Sequence, residues 1–475
     1  MYFTDFSPAL SLRLLLQVPQ YSTGGTTSES AFFILRENAQ RPQIRDEGKL
    51  ASSAFVLTLT VCYNRAMRLT HLSLHNFRNY VRLELDLAPG VTLLLGDNAQ
   101  GKTNLLEAVY YLATSRSPHA SAERELVNWL AIEDEPLPYA RLVGQVFRGD
   151  SDLTLEITLT QQANNDTRYR KQIRLNGVAK RAMDLLGQLN VVLFLPDDIA
   201  LVFGSPSRRR RYLNATLCQI DPVYCRSLSR YNQIVTQRNA LLRDLRERGG
   251  DPAQLAFWNE HLVAHGAYLI TRRREALVAL DELAHTIHDE LTESLESLHL
   301  RYVPSVEQSL GAPDGIESLQ DLEEVKTAFE QQLLGLRQRE IAAGVTLIGP
   351  HRDELRFLIN DIDAGVYGSR GQQRTAALSL KLAEVDLMHR ETGEHPVLLL
   401  DDVLSELDVH RRRFLLRYLN DGPQQAVISA TDLDVLPEAF LRRCELWRVR
   451  MGRLSKAEPK LSDEPGLGSG EKKGH

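Results

Sequence analysis

Hydrophobic patterning begins at Met67. Leu69, Leu72 and Leu74 lead to Phe77, and Val81, Leu83, Leu85 and Leu87 then alternate with polar residues as far as Pro89-Gly90. Such alternation marks half-buried strands, so the stretch predicts an antiparallel hairpin. Val91–Leu95 is a short unbroken apolar run of the kind buried on both faces of a sheet. It runs into a glycine-containing loop and then a helical pattern over Lys102–Leu112. Between Tyr139 and Lys180 three more alternating segments follow, the last closed by Asn176-Gly177, a strong hairpin-turn signal. Val191–Leu195 predicts another buried strand.

After Pro206 the texture changes to long amphipathic helices. Leu228, Tyr231, Val235, Leu242 and Leu245 mark one apolar stripe, and Trp258, Leu262, Leu269, Leu277, Leu280 and Leu291 another. The α/β texture returns with Val345–Ile348 and continues to Val449 through apolar strands at Val397–Leu400 and Ala426–Ser429. The expected organisation is one α/β domain in two parts, 67–205 and 342–455, split by an inserted helical arm over 206–341. Residues 1–66 show no sustained periodicity. They read as an unstructured appendage, either a short native extension or sequence lying upstream of a start at Met67. The tail 456–475 is rich in Lys, Glu, Gly, Ser and Pro and is expected to be disordered.

Composition narrows the class without naming a chemistry. A chain of 475 residues exceeds what one core usually serves, in line with more than one structural unit. With 43% hydrophobic and 25% charged residues it is neither disordered nor fibrous. The net charge of -6 means that nucleic acid, if bound, must meet a local basic surface. Cys62, Cys218, Cys225 and Cys444 form no CxxC pair, and reduced thiols of a cytoplasmic protein are the simplest reading. No apolar run approaches the roughly 20 residues that cross a bilayer, and the start lacks an export signal. A membrane partner is therefore not expected.

Gly96-Asp97-Asn98-Ala99-Gln100-Gly101-Lys102-Thr103 fits the phosphate-loop pattern GxxxxGK[ST] in full, and it lies between a buried strand and a helix, the context that the motif requires. The glycines let backbone N–H groups converge on phosphate oxygens, with Asn104 in the first helical turn. Lys102 neutralises the β- and γ-phosphates of ATP, and the Thr103 hydroxyl ligates Mg2+. Val397–Leu400 ends in Asp401-Asp402, placing two carboxylates at the same sheet edge. Asp401 is expected to hold the metal, and Asp402 to orient or deprotonate the attacking water. Ser369-Arg370-Gly371-Gln372-Gln373-Arg374 precedes a helical run, about 30 residues before the acids.

That last segment is similar to the signature motif of ABC ATPases, in which serine, glycine backbone and helix N-terminus from one subunit grasp the γ-phosphate held by the other. Ser369, Arg370, Gly371 and Gln372 are the positions carried over. Ser405-Glu406-Leu407-Asp408 likewise resembles that superfamily's D-loop. Where many members carry a switch histidine, this chain reads Ala430-Thr431-Asp432.

Four further stretches narrow the resemblance: Leu74-His75-Asn76-Phe77-Arg78-Asn79-Tyr80, Phe194-Leu195-Pro196-Asp197-Asp198 with the later Arg208–Arg211 run, Gly349-Pro350-His351-Arg352-Asp353-Glu354, and the SRGQQRT signature. Over Met67–Trp447 the chain resembles the RecF family, ABC-type ATPases related to SMC and Rad50 heads. The resemblance implies an α/β head with an added antiparallel sheet and an inserted helical arm. It further implies an ATP-dependent homodimer on DNA, with duplex, gap junctions and single strands as candidate forms, and weak DNA-stimulated ATPase activity. Cooperation with RecR and RecO in helping RecA load is also implied. Arg78 is read either as a phosphate contact or as a surface charge, and Arg208–Arg211 either as DNA contacts or as a paired or solvated helix turn. His351 and Arg352 are read as active-edge or structural groups. A transporter ATPase subunit would carry a signature closer to LSGGQ. An SMC or Rad50 protein would carry sustained heptads, which the arm lacks.

Overall fold

The computed structural model describes residues 67–134, 136–149, 151–162, 165–308, 321–434 and 436–457. The expectations for 1–66 and for 458–475 fall outside the described residues.

Strands β1 (Met67–Phe77) and β2 (Tyr80–Asp86) form the expected hairpin, with Leu74 opposite Leu83 and Phe77 opposite Tyr80. The register of β1 against its other neighbour shifts between Leu69 and His71, which is how Leu69 and Leu72, three apart, share the buried face. Strands β4 (Tyr139–Arg148), β5 (Ser151–Gln162), β6 (Asn165–Leu175) and β7 (Val178–Lys180) complete a six-stranded sheet ordered β2-β1-β4-β5-β6-β7. Asn176 and Gly177 turn β6 into β7 with φ of 49° and 78°, the left-handed backbone that this dipeptide favours.

A second six-stranded sheet carries the apolar runs. Its order is β15 (Arg453–Lys456), β14 (Glu445–Arg450), β3 (Val91–Leu95), β13 (Ala426–Ala430), β12 (Val397–Asp401) and β8 (Val191–Phe194). All neighbours from β14 to β8 are parallel, and β15 closes one edge antiparallel. Such a sheet must be covered on both faces, which is why these strands lack alternation. Leu94, Leu399 and Val427 pack with α1 (Lys102–Thr114) and the antiparallel sheet. Leu93, Leu398 and Ile428 face the helical side. Buried Gln425 stitches the two sheets: its Oε1 accepts from Leu69 N at 2.9 Å, and its Nε2 donates to Leu69 O (2.9 Å) and Ala88 O (2.8 Å).

The helical region consists of α2 (Pro206–Ile220), α3 (Pro222–Arg248), α4 (Leu255–Thr292) and α5 (Leu322–Ala343). Asp221 caps α3 by accepting from Val223 N and Tyr224 N, with Pro222 in the first turn where no amide is required. The stretch expected to be mostly helical also contains β9 (Leu298–Val303), whose buried Leu298, Leu300 and Tyr302 alternate. It pairs antiparallel with β10 (Glu354–Ile359), and β11 (Ile362–Asp363) follows. Two long helices follow in the head, α6 (Arg370–Thr392) and α7 (Val409–Asp421).

Val345–Ile348 departs from the expectation of returning sheet texture: it is a loop. Polar contacts at the arm's base account for this. Asn239 Oδ1 accepts from both Thr346 N and Thr346 Oγ1 at 2.7 Å, and Glu340 Oε1 accepts from Leu347 N at 2.9 Å. Glu340 also pairs with Arg238 at 2.6 Å, both side chains fully buried, while Arg238 donates to Thr346 Oγ1 and Asn259 Oδ1 at 2.9 Å. Removing one member of such a buried pair leaves the other charge without water or partner. Arg238→Met should destabilise the chain by about 3–5 kcal/mol, measured as a lower urea midpoint for loss of helical circular dichroism.

Candidate active site

The parallel sheet brings the expected groups together at one edge. β13 lies between β3 and β12, with Ala430 opposite Leu95 and Ser429 opposite Asp401, so the phosphate loop leaves its strand beside the acid pair. Gly96 N donates to Ala430 O at 3.3 Å. A side chain at Gly96 would put Cβ 2.4 Å from Val449 O on β14, and Gly101 has φ of 117° with Asn79 packed against it, so both glycines are needed for close approach.

Thr103 Oγ1 lies 2.9 Å from both oxygens of Asp401, and Ser429 Oγ donates to Asp401 Oδ1 at 2.8 Å. Ser429 Oγ in turn accepts from Asp402 N at 2.9 Å, which fixes the backbone of Asp402 in a left-handed conformation with φ of 51°. Ser429 was not singled out from sequence. Its signal is weak, a lone serine in an apolar strand, and only the register of β13 against β12 shows its use. Lys102, 6% exposed, turns its Nζ onto Gly96 O (2.5 Å) and Asp97 O (3.0 Å). Burial pulls its pKa down, while Asp402, Asp401 and Asp97 oppose that shift. Burial pushes the Asp402 carboxyl above the usual range, with Asp401 and Glu406 adding to the effect and Ser405 and Lys102 opposing it.

Three residues expected at the nucleotide have side-chain partners inside the protein. Arg78 forks onto buried Glu107 with bonds of 2.7 and 2.8 Å and gives its remaining arm to Glu125 O at 2.9 Å, so its guanidinium ties the β1–β2 turn to α1. Its charge is answered inside the protein. Asn104 Nδ2 donates to Asn79 Oδ1 at 2.8 Å, and Gln100 Oε1 accepts from Met451 N at 2.9 Å. The side chains of Asn104 and Gln100 thus brace the loop. Asn79 Nδ2 bonds Gln100 O and Tyr80 OH bonds Gly101 O, both at 2.9 Å. Asn79 and Tyr80 lie in the quoted stretch at 74–80, but periodicity gave no hint that they grip the loop. Asp97, Asn98 and Ala99 form its outer turn, where Ala99 has φ of 62°.

The signature segment stands apart. Ser369 caps α6: its Oγ accepts from Gln372 N at 3.2 Å and its N donates to Gln372 Oε1 at 2.8 Å. Arg370 lies over the Phe203 ring at 4.6 Å, Gln372 Nε2 donates to Glu296 Oε1 at 2.9 Å, and Gly371 is exposed. Among the described residues no hydrogen bond joins Ser369–Gln372 to the phosphate loop or the acid pair of the same chain. One helical turn on, Arg374 forks onto Glu406, at 2.8 Å to its carbonyl and 2.7 Å to its carboxylate, linking α6 to the D-loop-like segment. Thr431 is exposed beyond β13.

The outlying candidates are mostly structural. Arg208 pairs with Asp197, Arg209 forks onto Glu354 at 2.7 and 2.9 Å, and Arg210 donates to Asp353 O at 2.8 Å. Of the run at 208–211, only Arg211 has no such partner among the described residues. His351 and Arg352 follow a loop and not a strand. His351 bonds Tyr231 OH (2.7 Å) and Thr346 O (3.2 Å), Arg352 reaches Thr346 O at 3.3 Å, and burial pushes the His351 pKa down to about 4. Among the described residues no helix is long and apolar enough to cross a membrane.

Comparison with known proteins agrees with this geometry. Residues 68–452 match the model of the RecF/RecN/SMC N terminal domain. The DNA replication and repair protein RecF of Roseiflexus castenholzii is 48% identical over 399 residues, 82% of this chain and 99% of that protein. The RecF of Chloroflexus aurantiacus is 45% identical over 397 residues, again 82% and 99%. A solved structure described as the recombination mediator protein RecF with ATP in the RecFOR pathway superposes with a TM-score of 0.73 at 33% identity, covering 83% of this chain and 98% of that one. With an ABC-type nucleotide site at the edge of its parallel sheet, the chain belongs to the RecF family of DNA replication and repair proteins.

Proposed function

We propose that this chain is a slow, DNA-stimulated ATPase whose two copies close head to tail around two ATP molecules on duplex DNA near single-strand gaps. The observation that carries the reading is the separation within one chain of two half-sites. The phosphate loop and acids occupy the sheet edge, while the exposed N-terminus of the 23-residue helix α6 makes no bond to them. Ile362, Val366 and Tyr367 beside that terminus are exposed, with Tyr367 at 76%, an apolar surface suited to covering by a second copy. A relative solved with ATP supports the choice of nucleotide. The same relative's description within the RecFOR pathway supports action with RecR and RecO.

Lys102, held against the loop carbonyls, has a charge to transfer to phosphate oxygens. The N–H groups at the start of α1 and of α6 face anions favourably from either side. Thr103 Oγ1 and Asp401 are hard oxygen donors already in contact, which suits Mg2+. The metal would supply neutralisation of phosphate charge there. Asp402, with its carboxyl pushed up by burial, is set to orient water and take its proton.

Three substitutions separate these roles. Lys102→Met should abolish ATP binding by isothermal titration while leaving the melting curve close to wild type. Asp402→Asn should keep ATP binding, cut hydrolysis by roughly 100-fold or more, and accumulate an ATP-bound dimer in sedimentation velocity. Ser369→Arg should bind ATP but fail to dimerise, with or without duplex. A normal ATP-dependent dimer of that variant would remove the head-to-tail reading.

A further inference from the structure

α7 and the helical turn Glu438–Leu441 enclose a groove of about 450 Å³. Four arginines line it, Arg412, Arg413, Arg417 and Arg443, and among the described residues no carboxylate does. Three other arginines of the chain are answered by carboxylates: Arg78 meets Glu107, Arg209 meets Glu354 and Arg374 meets Glu406. In the groove the partners are neutral. Arg412 donates to the carbonyls of Leu404 (2.9 Å) and Leu407 (2.8 Å), and Arg443 donates to Asn420 Oδ1. Arg417 lies 5.4 Å from the Phe414 ring centroid. Arg413 has no hydrogen bond or ion pair among the described residues. The nearby carboxylate of Glu438 is turned onto Arg442 at 3.3 Å.

Grouped cations on a chain of net charge -6 repel one another unless an anion joins them. The floor narrows the choice of anion. Val409 is 65% exposed, Pro437 and Ala439 are exposed, and Leu416 and Phe440 lie buried beneath. Phosphate backbones gain nothing from an aliphatic floor, and single strands need open aromatic faces on which to stack. Phe414 and Phe440 are only 8% and 6% exposed. A cavity of this size accepts a few side chains. We propose that the groove docks an acidic segment of a partner protein in which carboxylates flank an apolar anchor: the acids meet Arg413, Arg417 and Arg443, and the anchor lies on Val409 and Pro437.

The test is selection from a random displayed peptide library on the immobilised full chain, followed by fluorescence anisotropy with the enriched peptides. Peptides carrying two or more acids beside an apolar residue should be enriched. Their binding should weaken at least tenfold on Arg413→Glu with Arg417→Glu, and versions with Lys in place of the acids should bind that double variant better than wild type. Both arginines are exposed, so ATP binding and ATP-dependent sedimentation should not change. Absence of acidic peptides among those selected, or equal affinity for wild type and variant, would overturn the proposal. So would loss of duplex binding by the variant with peptide binding intact, which would make the surface a nucleic-acid face.

Discussion

Asp401 is a carboxylate at the end of a strand buried along its whole length, and burying such a charge is tolerable only when its lone pairs are taken up. Thr103 straddles both of its oxygens and Ser429 bonds one of them, so the three elements that meet at the sheet edge are joined through a single side chain. Thr103 comes from the first turn of α1, Ser429 from the central strand β13, and Asp401 from β12. The same serine accepts from Asp402 N and holds the second acid in its left-handed turn. If β13 slipped by one residue, Ser429 would point into the opposite face, and both acids would lose their support together.

Much of the remaining polar structure keeps that edge rigid. Asn79, Tyr80 and Met451 grip the phosphate loop from turns far away in sequence, and Arg78 locks the first of those turns to α1 through Glu107. Gln425 fixes the two sheets to each other just before β13 begins. On the helical side, the Arg374–Glu406 fork joins the start of α6 to the segment after the acids. The start of α6 is therefore tied to the segment that follows the acid pair in its own chain.

Charge is distributed with the same economy. In a chain of net charge -6 the arginine-rich stretches look from sequence like binding surfaces. Most of the run at 208–211 proves to be internal clamps, because long guanidinium arms reach groups distant in the chain, the Glu354 carboxylate and the Asp353 carbonyl. Several arginines left without a carboxylate, Arg412, Arg413, Arg417 and Arg443, lie around α7, which carries an arginine run of its own.

Local rules were enough for strands β1–β6, β8, β12 and β13, the hairpin at Asn176-Gly177, the phosphate loop and the acid pair. Each is a contiguous pattern whose geometry follows from period, glycine freedom or a strand-to-helix junction. They also marked the Ser369 helix terminus, where serine and a glutamine three residues on form a capping box. They failed where a side chain's role is set by a partner remote in the chain. Arg78, Gln100 and Asn104 have chemistry that suits phosphate, and only the fold shows that Glu107, Met451 and Asn79 hold their side chains. β9 was overlooked because its few alternating residues sit among long helical stripes, and its pairing partner β10 lies beyond them. Val345–Ile348 has a strand's composition, yet Asn239 and Glu340 take up backbone amides that a strand would offer to a neighbour. The linear chain thus marked most of the head's elements and the segments whose chemistry suits phosphate. Only the packed fold decided which polar side chains are held by others, because that depends on contacts between segments apart in the chain that no local pattern encodes.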